Sequence, residues 1–131
     1  MSEKTQQLIQ LRTQLERAFS PDTAVPDSKG GTPSSGHCAA TAYLVQKLFD
    51  GDYVSATVQG QSHWFNRIEI DETSVDIDLT GDQFGLSALR IGGAGELYPG
   101  TRVRQAHELN EETRRRGELL KKQFVVGVLN K

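Results

Sequence analysis

The chain has 131 residues, 36% of them hydrophobic, which suffices for one core at the usual allocation of roughly 100–200 residues per domain. Fifteen Lys and Arg against 17 Asp and Glu leave a formal charge of -2, without the basic excess that holds nucleic acid or anionic lipid. A single domain, 1–131, is therefore expected, with neither a nucleic-acid nor a membrane partner; the oligomeric state is not legible. Cys38 is the only cysteine, which excludes an intramolecular disulfide and any zinc site of two thiolates. The polar start Met1-Ser2-Glu3-Lys4 leads into no apolar stretch of signal-peptide length, and no run approaches the ~18 apolar residues of a membrane span. A soluble, cytoplasmic protein is the expectation.

Leu8, Leu11, Leu15 and Phe19 recur at spacings of three and four, which predicts an amphipathic helix over 1–19. Residues 20–36 hold Pro21, Pro26, Pro33, Gly30, Gly31 and Gly36 and read as a long surface loop. Composition then turns apolar from Cys38 to Phe49, predicting a buried central helix that starts after Ser34-Ser35-Gly36 and stops at Asp50-Gly51. The cysteine falls in its first turn. Three extended segments follow, 53–58, 63–70 and 74–79, joined closely enough to predict an antiparallel meander. In the third, Val75, Ile77 and Leu79 alternate with Asp76, Asp78 and Thr80, the pattern of a strand buried on one face. The glycine-rich stretch 81–100 reads as irregular, with a turn of helix near 83–89. Asn110-Glu111-Glu112-Thr113 offers a cap and acidic first turn for a C-terminal helix ending near Phe124. The fold class is thus α+β: a Cys-bearing central helix on a small antiparallel sheet of three or more strands, flanked by N- and C-terminal helices. The helix-and-sheet core is expected within 37–84, with 85–131 supplying the irregular segment and the last helix.

A thiol attacks as its thiolate, which forms more readily at a helix N-terminus or beside an imidazolium. Cys38 meets the first condition. Attack on a carbonyl also needs a base to take the thiol proton and return it to the leaving group, and a polar group to fix that base's tautomer. His63 opens one expected strand and Asp76 and Asp78 lie on the next, so Cys, His and Asp follow in the order of papain-like thiol enzymes. Taken alone, a cysteine beside Ala39 and Ala40 is a small core residue; the later His and Asp favour a nucleophile.

Three blocks carry a resemblance: Ser35-Gly36-His37-Cys38-Ala39-Ala40, Ser62-His63-Trp64-Phe65-Asn66 and Asp78-Leu79-Thr80-Gly81-Asp82-Gln83-Phe84. Together they resemble the YunG-like family of small bacterial proteins, over roughly residues 34–84. That family looks like a compact papain-like or transglutaminase-like core. The resemblance implies Cys38 as nucleophile, His63 as general base and then acid, and Asp78 as the orienting carboxylate. Preference for Asp78 over Asp76 rests on the Asp-Leu-Thr block, since both share one face of the strand. Papain-like enzymes usually carry an amide donor shortly before the cysteine, whereas residues 30–37 contain neither Gln nor Asn. The Cys38 backbone N–H can supply one oxyanion donor; His37, Ser35, Gln61 and Asn66 stay open for the second.

Trp64 follows His63 and projects to the opposite face, as core packing or as a shield for the His–Asp pair. Gln83 and Phe84 read as a polar anchor and a core residue. Cys38, His37, His63 and Asp78 are all zinc-ligand types, but their spacing matches no usual zinc pattern, and neither metal nor cofactor is expected. The arginines at 102, 104 and 114–116 read as a solvated, charge-balanced surface that could also hold an acidic peptide terminus. The leading expectation is a papain-like cysteine hydrolase or acyltransferase acting on an amide-type bond, with a peptide or protein substrate. Its alternatives are a non-catalytic binding or regulatory protein that retains the fold, and a thiol-based redox or metal sensor.

Overall fold

The structure, a computed structural model, describes residues 3–18 and 37–129, with side chains described for 3–16 and 37–122. The expected 20–36 loop, the helix start at Ser34–Gly36, Ser35 and the ends of the first helix at Met1, Ser2 and Phe19 lie outside those residues. Three helices, α1 (Glu3–Ala18), α2 (Cys38–Phe49) and α3 (Glu111–Leu129), accompany five strands: β1 (Asp52–Val58), β2 (Gln61–Ile70), β3 (Thr73–Asp78), β4 (Arg90–Gly93) and β5 (Arg102–Arg104). The strands form one antiparallel sheet in the order β4-β3-β2-β1-β5. The class is α+β.

Leu8, Leu11 and Leu15 are buried on one face of α1, where they join Ala40, Leu44 and Val45 of α2, Ile68 and Ile77 of the sheet, Leu79, and Leu120 of α3. Six successive residues of α2, Ala40 to Val45, are buried, because the helix has the sheet on one side and α3 on another. Asp50 closes it with an N–H donated to the Gln46 carbonyl. Gly51 follows at φ +89, where a Cβ would stand 2.4 Å from the Arg67 carbonyl oxygen, so only glycine fits this approach of the chain to β2.

Both hairpins close through two residues of positive φ, Gln59-Gly60 and Asp71-Glu72, the arrangement whose twist matches that of paired strands. β2 and β3 therefore start at Gln61 and Thr73, two residues and one residue before the expected 63 and 74. Asn110 caps α3, its Oδ1 accepting the Thr113 N–H at 2.8 Å. The helix runs beyond Phe124 to Leu129, since a lone glycine weakens a helix without ending it and no proline intervenes.

Two expectations for 81–100 are corrected. Its helical turn is a 3-10 turn at Gly81–Phe84, and the sheet continues past residue 84 with β4 and then β5. Because β4 and β5 occupy opposite edges, residues 94–101 cross the sheet on the face away from the helices. They bring Leu97 and Tyr98 onto Val54, Ala56, Phe65 and Phe84. The strand read as buried on one face is thus covered on both, and Asp76 and Asp78 are 0% and 1% exposed.

α2 and α3 approach closely at Gly117, where a Cβ would lie 2.4 Å from Cδ1 of Tyr43. The Tyr43 hydroxyl donates to Glu118 Oε1 at 2.6 Å; that bond to a carboxylate, with burial, pushes its pKa up to about 12. Gly117→Ala gains about 1 kcal/mol of helix propensity but overpacks this contact. A net loss of ~1–3 kcal/mol is expected in urea denaturation, and a raised midpoint would show that the helices do not pack this tightly.

Candidate functional site

Cys38 is the first residue of α2, half-buried, after His37 at the N-cap position, whose side chain makes no capping bond. His63 is the third residue of β2. Its pairing partner on one side is Ala56, whereas β3 stops pairing with β2 at Asn66↔Ile77. No β3 residue pairs with His63, and β3 instead ends in Asp78, whose side chain turns to the imidazole. The Nε2 of His63 lies 2.9 Å from Asp78 Oδ2. A carboxylate can only accept, so this nitrogen carries the proton and Nδ1 faces the other way. Cys38 also acts on this imidazole, raising its pKa together with Asp78. Cys38, His63 and Asp78 are therefore brought together in that order.

The His63 ring is fully buried. Phe84 and Tyr98 meet it edge-on at 4.8 and 5.4 Å between centroids, and Phe65 stacks at 5.8 Å. Burial opposes the imidazolium, but the hydrogen bonds to Asp78 and Cys38 and the charges of both outweigh it, and the pKa is pushed up to about 9. Asp78 also loses hydration, yet His63, Tyr98 and the Thr80 backbone hold its carboxyl below the usual carboxylate value. Oδ2 accepts from His63 and from the Tyr98 hydroxyl. Oδ1 accepts from the Thr80 N–H at 3.0 Å and the Thr80 hydroxyl at 3.2 Å. The Tyr98 pKa is raised by burial and by Asp78, so its phenol remains a donor. Arg90 stacks 4.9 Å over the Tyr98 ring.

Asp76 belongs to a separate set of contacts. It accepts from Arg67 Nε at 2.6 Å, Arg67 Nη2 at 3.1 Å and the Gly95 N–H at 2.8 Å, and it fixes the crossing segment rather than the imidazole. Asn66 points to the helix side, where its Nδ2 donates to the Ala42 carbonyl at 3.0 Å. Gln61 is exposed beside the β1–β2 turn. Trp64 lies across the strand from His63, 6.0 Å from the Tyr53 ring with Arg104 stacked over it at 5.8 Å; the rings around His63 are Phe65, Phe84 and Tyr98 instead. Arg104 pairs with Glu108, and Arg115 with Glu112. Among the described residues, no group of three or more His, Cys, Asp or Glu is placed to hold a metal ion, and no helix is long and apolar enough to cross a membrane.

Two residues at the site had not been read as part of it. Tyr98 had no signal in sequence, because it stands in a glycine-rich stretch without periodicity. Gln83 lay in the third motif block, and its Nε2 comes within 3.4 Å of His63 Nδ1.

An α+β domain with a buried, hydrogen-bonded imidazole–carboxylate pair and a half-buried thiol is the class that the fold and site define. The family model described as YunG protein matches residues 7–127, and the chain belongs to the YunG family. Searches of curated proteins and of solved structures give no significant match.

Proposed function

We propose that this protein is a papain-like thiol hydrolase or acyltransferase acting on an amide-type bond of a peptide or protein. Cys38 is the nucleophile, His63 the base and then the acid, and Asp78 the orienting carboxylate. The observation that carries this reading is one buried imidazole hydrogen-bonded to a buried carboxylate, with the half-buried thiol of Cys38 acting on the same ring. A histidine kept only for packing needs no second titratable partner.

In the proposed reaction the Cys38 proton passes to Nδ1 of His63, and the sulfur attacks the substrate carbonyl carbon, whose π pair moves to oxygen. Collapse of this tetrahedral species breaks the bond to the leaving amine, which takes the proton from Nδ1. Water or an amine then attacks the thioester, gives its proton to His63 and releases Cys38. Asp78 keeps the Nε2 proton throughout and stabilises the imidazolium. A cytoplasmic location in a bacterium belongs to the same reading, because a lone catalytic thiol stays reduced there.

The test is alkylation of Cys38 by iodoacetamide against pH. An ordinary thiol loses nearly a hundredfold (~100) in rate between pH 8 and pH 6; the wild-type protein is expected to keep most of its rate. His63→Ala, checked for folding by circular dichroism, should restore the ordinary dependence. A wild-type protein that already behaves as an ordinary thiol, indifferent to His63→Ala, would leave the binding-protein reading in its place.

A further inference from the structure

We infer that the side-chain amide of Gln83 is the second oxyanion donor of the site, beside the Cys38 backbone N–H; the inference rests on the thiol reading above. His63 has two ring nitrogens, and Nε2 is engaged by Asp78. Nδ1 is therefore the nitrogen left to exchange a proton with Cys38 in the proposed reaction, and it is the atom that Gln83 Nε2 approaches at 3.4 Å. The amide stands at the ring atom that the reaction uses.

Ionisation of the pair gives this placement its use. Once His63 holds the thiol proton, both ring nitrogens are donors, and Nδ1–H points at the thiolate. The Gln83 amide then finds no acceptor on the ring, and its N–H groups become available to a substrate oxygen. A carbonyl attacked by that sulfur develops negative charge on an oxygen one bond from the new C–S carbon. Donors fixed before the charge appears stabilise it without reorganisation.

Gln83 is held on both sides. In the 3-10 turn Gly81–Phe84, Asp82 is paired with Arg12 of α1 at 3.0 Å. Phe84 packs into the cluster around Phe65 and Tyr98, and its carbonyl accepts from Gln59 Nε2 at 3.0 Å. Of the residues first considered for the role, Asn66 Nδ2 is engaged by the Ala42 carbonyl, Gln61 is exposed beside a hairpin turn, and Ser35 lies outside the described residues. His37 is buried at the N-cap position of α2.

The experiment compares two reactions of the same sulfur in the full chain. Iodoacetamide reacts by displacement of iodide at a saturated carbon and forms no oxyanion. p-Nitrophenyl acetate acylates the thiol through a tetrahedral oxyanion and releases one p-nitrophenolate per Cys38. Gln83→Ala should lower acylation roughly 100- to 1,000-fold more than it changes alkylation of the same sulfur. Gln83→Glu, which retains an acceptor for Nδ1–H but no donor, should lose acylation as well. The inference is overturned if Gln83→Ala acylates like wild type, if alkylation falls in parallel, or if Gln83→Glu keeps full acylation. It is equally overturned if the wild-type protein alkylates readily at pH 6 yet does not acylate. Failure of the thiol reading itself is separate and visible first, as an ordinary pH profile of wild-type alkylation indifferent to His63→Ala.

Discussion

Asp78→Asn is expected to lower acylation of Cys38 by on the order of 10³–10⁴, the loss that an Asp-to-Asn change produces in a hydrolase triad by imposing the wrong imidazole tautomer. The carboxylate accepts four hydrogen bonds, two on each oxygen. An amide replaces one of those acceptors with a donor. Placed toward His63, the NH₂ forces Nε2 to accept, so that Nδ1 carries the proton and can no longer take one from the thiol. Placed toward Thr80, it opposes a backbone N–H that then has no acceptor. Either way the charge that supports the imidazolium is gone.

The same substitution reads the pair in stability. His63 has its pKa raised to about 9 from an unfolded value of about 6.5. Its contribution is complete below the unfolded value and is lost as pH rises through the folded one. Asp78 has its pKa lowered, so its contribution is present above the unfolded value of about 3.9 and is lost as pH falls through the folded one. The pair is thus strongest between about pH 4 and pH 6.5. At ~1.4 kcal/mol per pH unit, the His63 shift corresponds to at most roughly 3 kcal/mol. Urea denaturation of wild type and Asp78→Asn at pH 5.5 and 9.5 should show the difference between them shrinking at the higher pH. A constant difference would mean that His63 carries no charge beside Asp78.

The readable parts of this chain are those in which one local rule dominates. Leu8, Leu11 and Leu15 mark a helix face because the helical period places them together. Asn110 marks a helix start because its side chain can take an early N–H. Cys38, His63 and Asp78 could be selected because their chain order and motif blocks agreed. Alternation along β3 gave the sides of the strand correctly but not their surroundings. It separates Ile77 from Asp76 and Asp78, yet whether the acidic side meets solvent depends on the segment that crosses the sheet. That segment, 94–101, is placed by the strands at its two ends, β4 and β5, four and three residues long, too short for a period to register. Tyr98 was hidden for the same reason. Gln83 was visible in its block, but a polar residue in a turn is equally suited to anchoring the chain, and only its distance from His63 Nδ1 suggests another use.

Asp76 and Asp78 share a strand face and near-complete burial, so their roles must be separated by their partners. Arg67 lies directly across from Asp76 in the β2–β3 register and supplies two of the three hydrogen bonds that hold its carboxylate. Arg67→Met would leave a buried charge with only the Gly95 N–H, and a stability loss of about 3–5 kcal/mol at neutral pH is expected. The double variant Arg67→Met/Asp76→Leu removes both charges and should recover most of it at every pH, since apolar replacement of a buried pair is often neutral. Asp76 makes its bonds to β2 and to the crossing segment, so the folded fraction of Arg67→Met should keep the acid reactivity of Cys38 expected of the wild-type protein. Urea denaturation and iodoacetamide alkylation on the same samples separate the two properties. Loss of thiol reactivity in a folded Arg67→Met protein would show that the Arg67–Asp76 pair also sets the geometry of the site, and the division of labour between the two aspartates would fall.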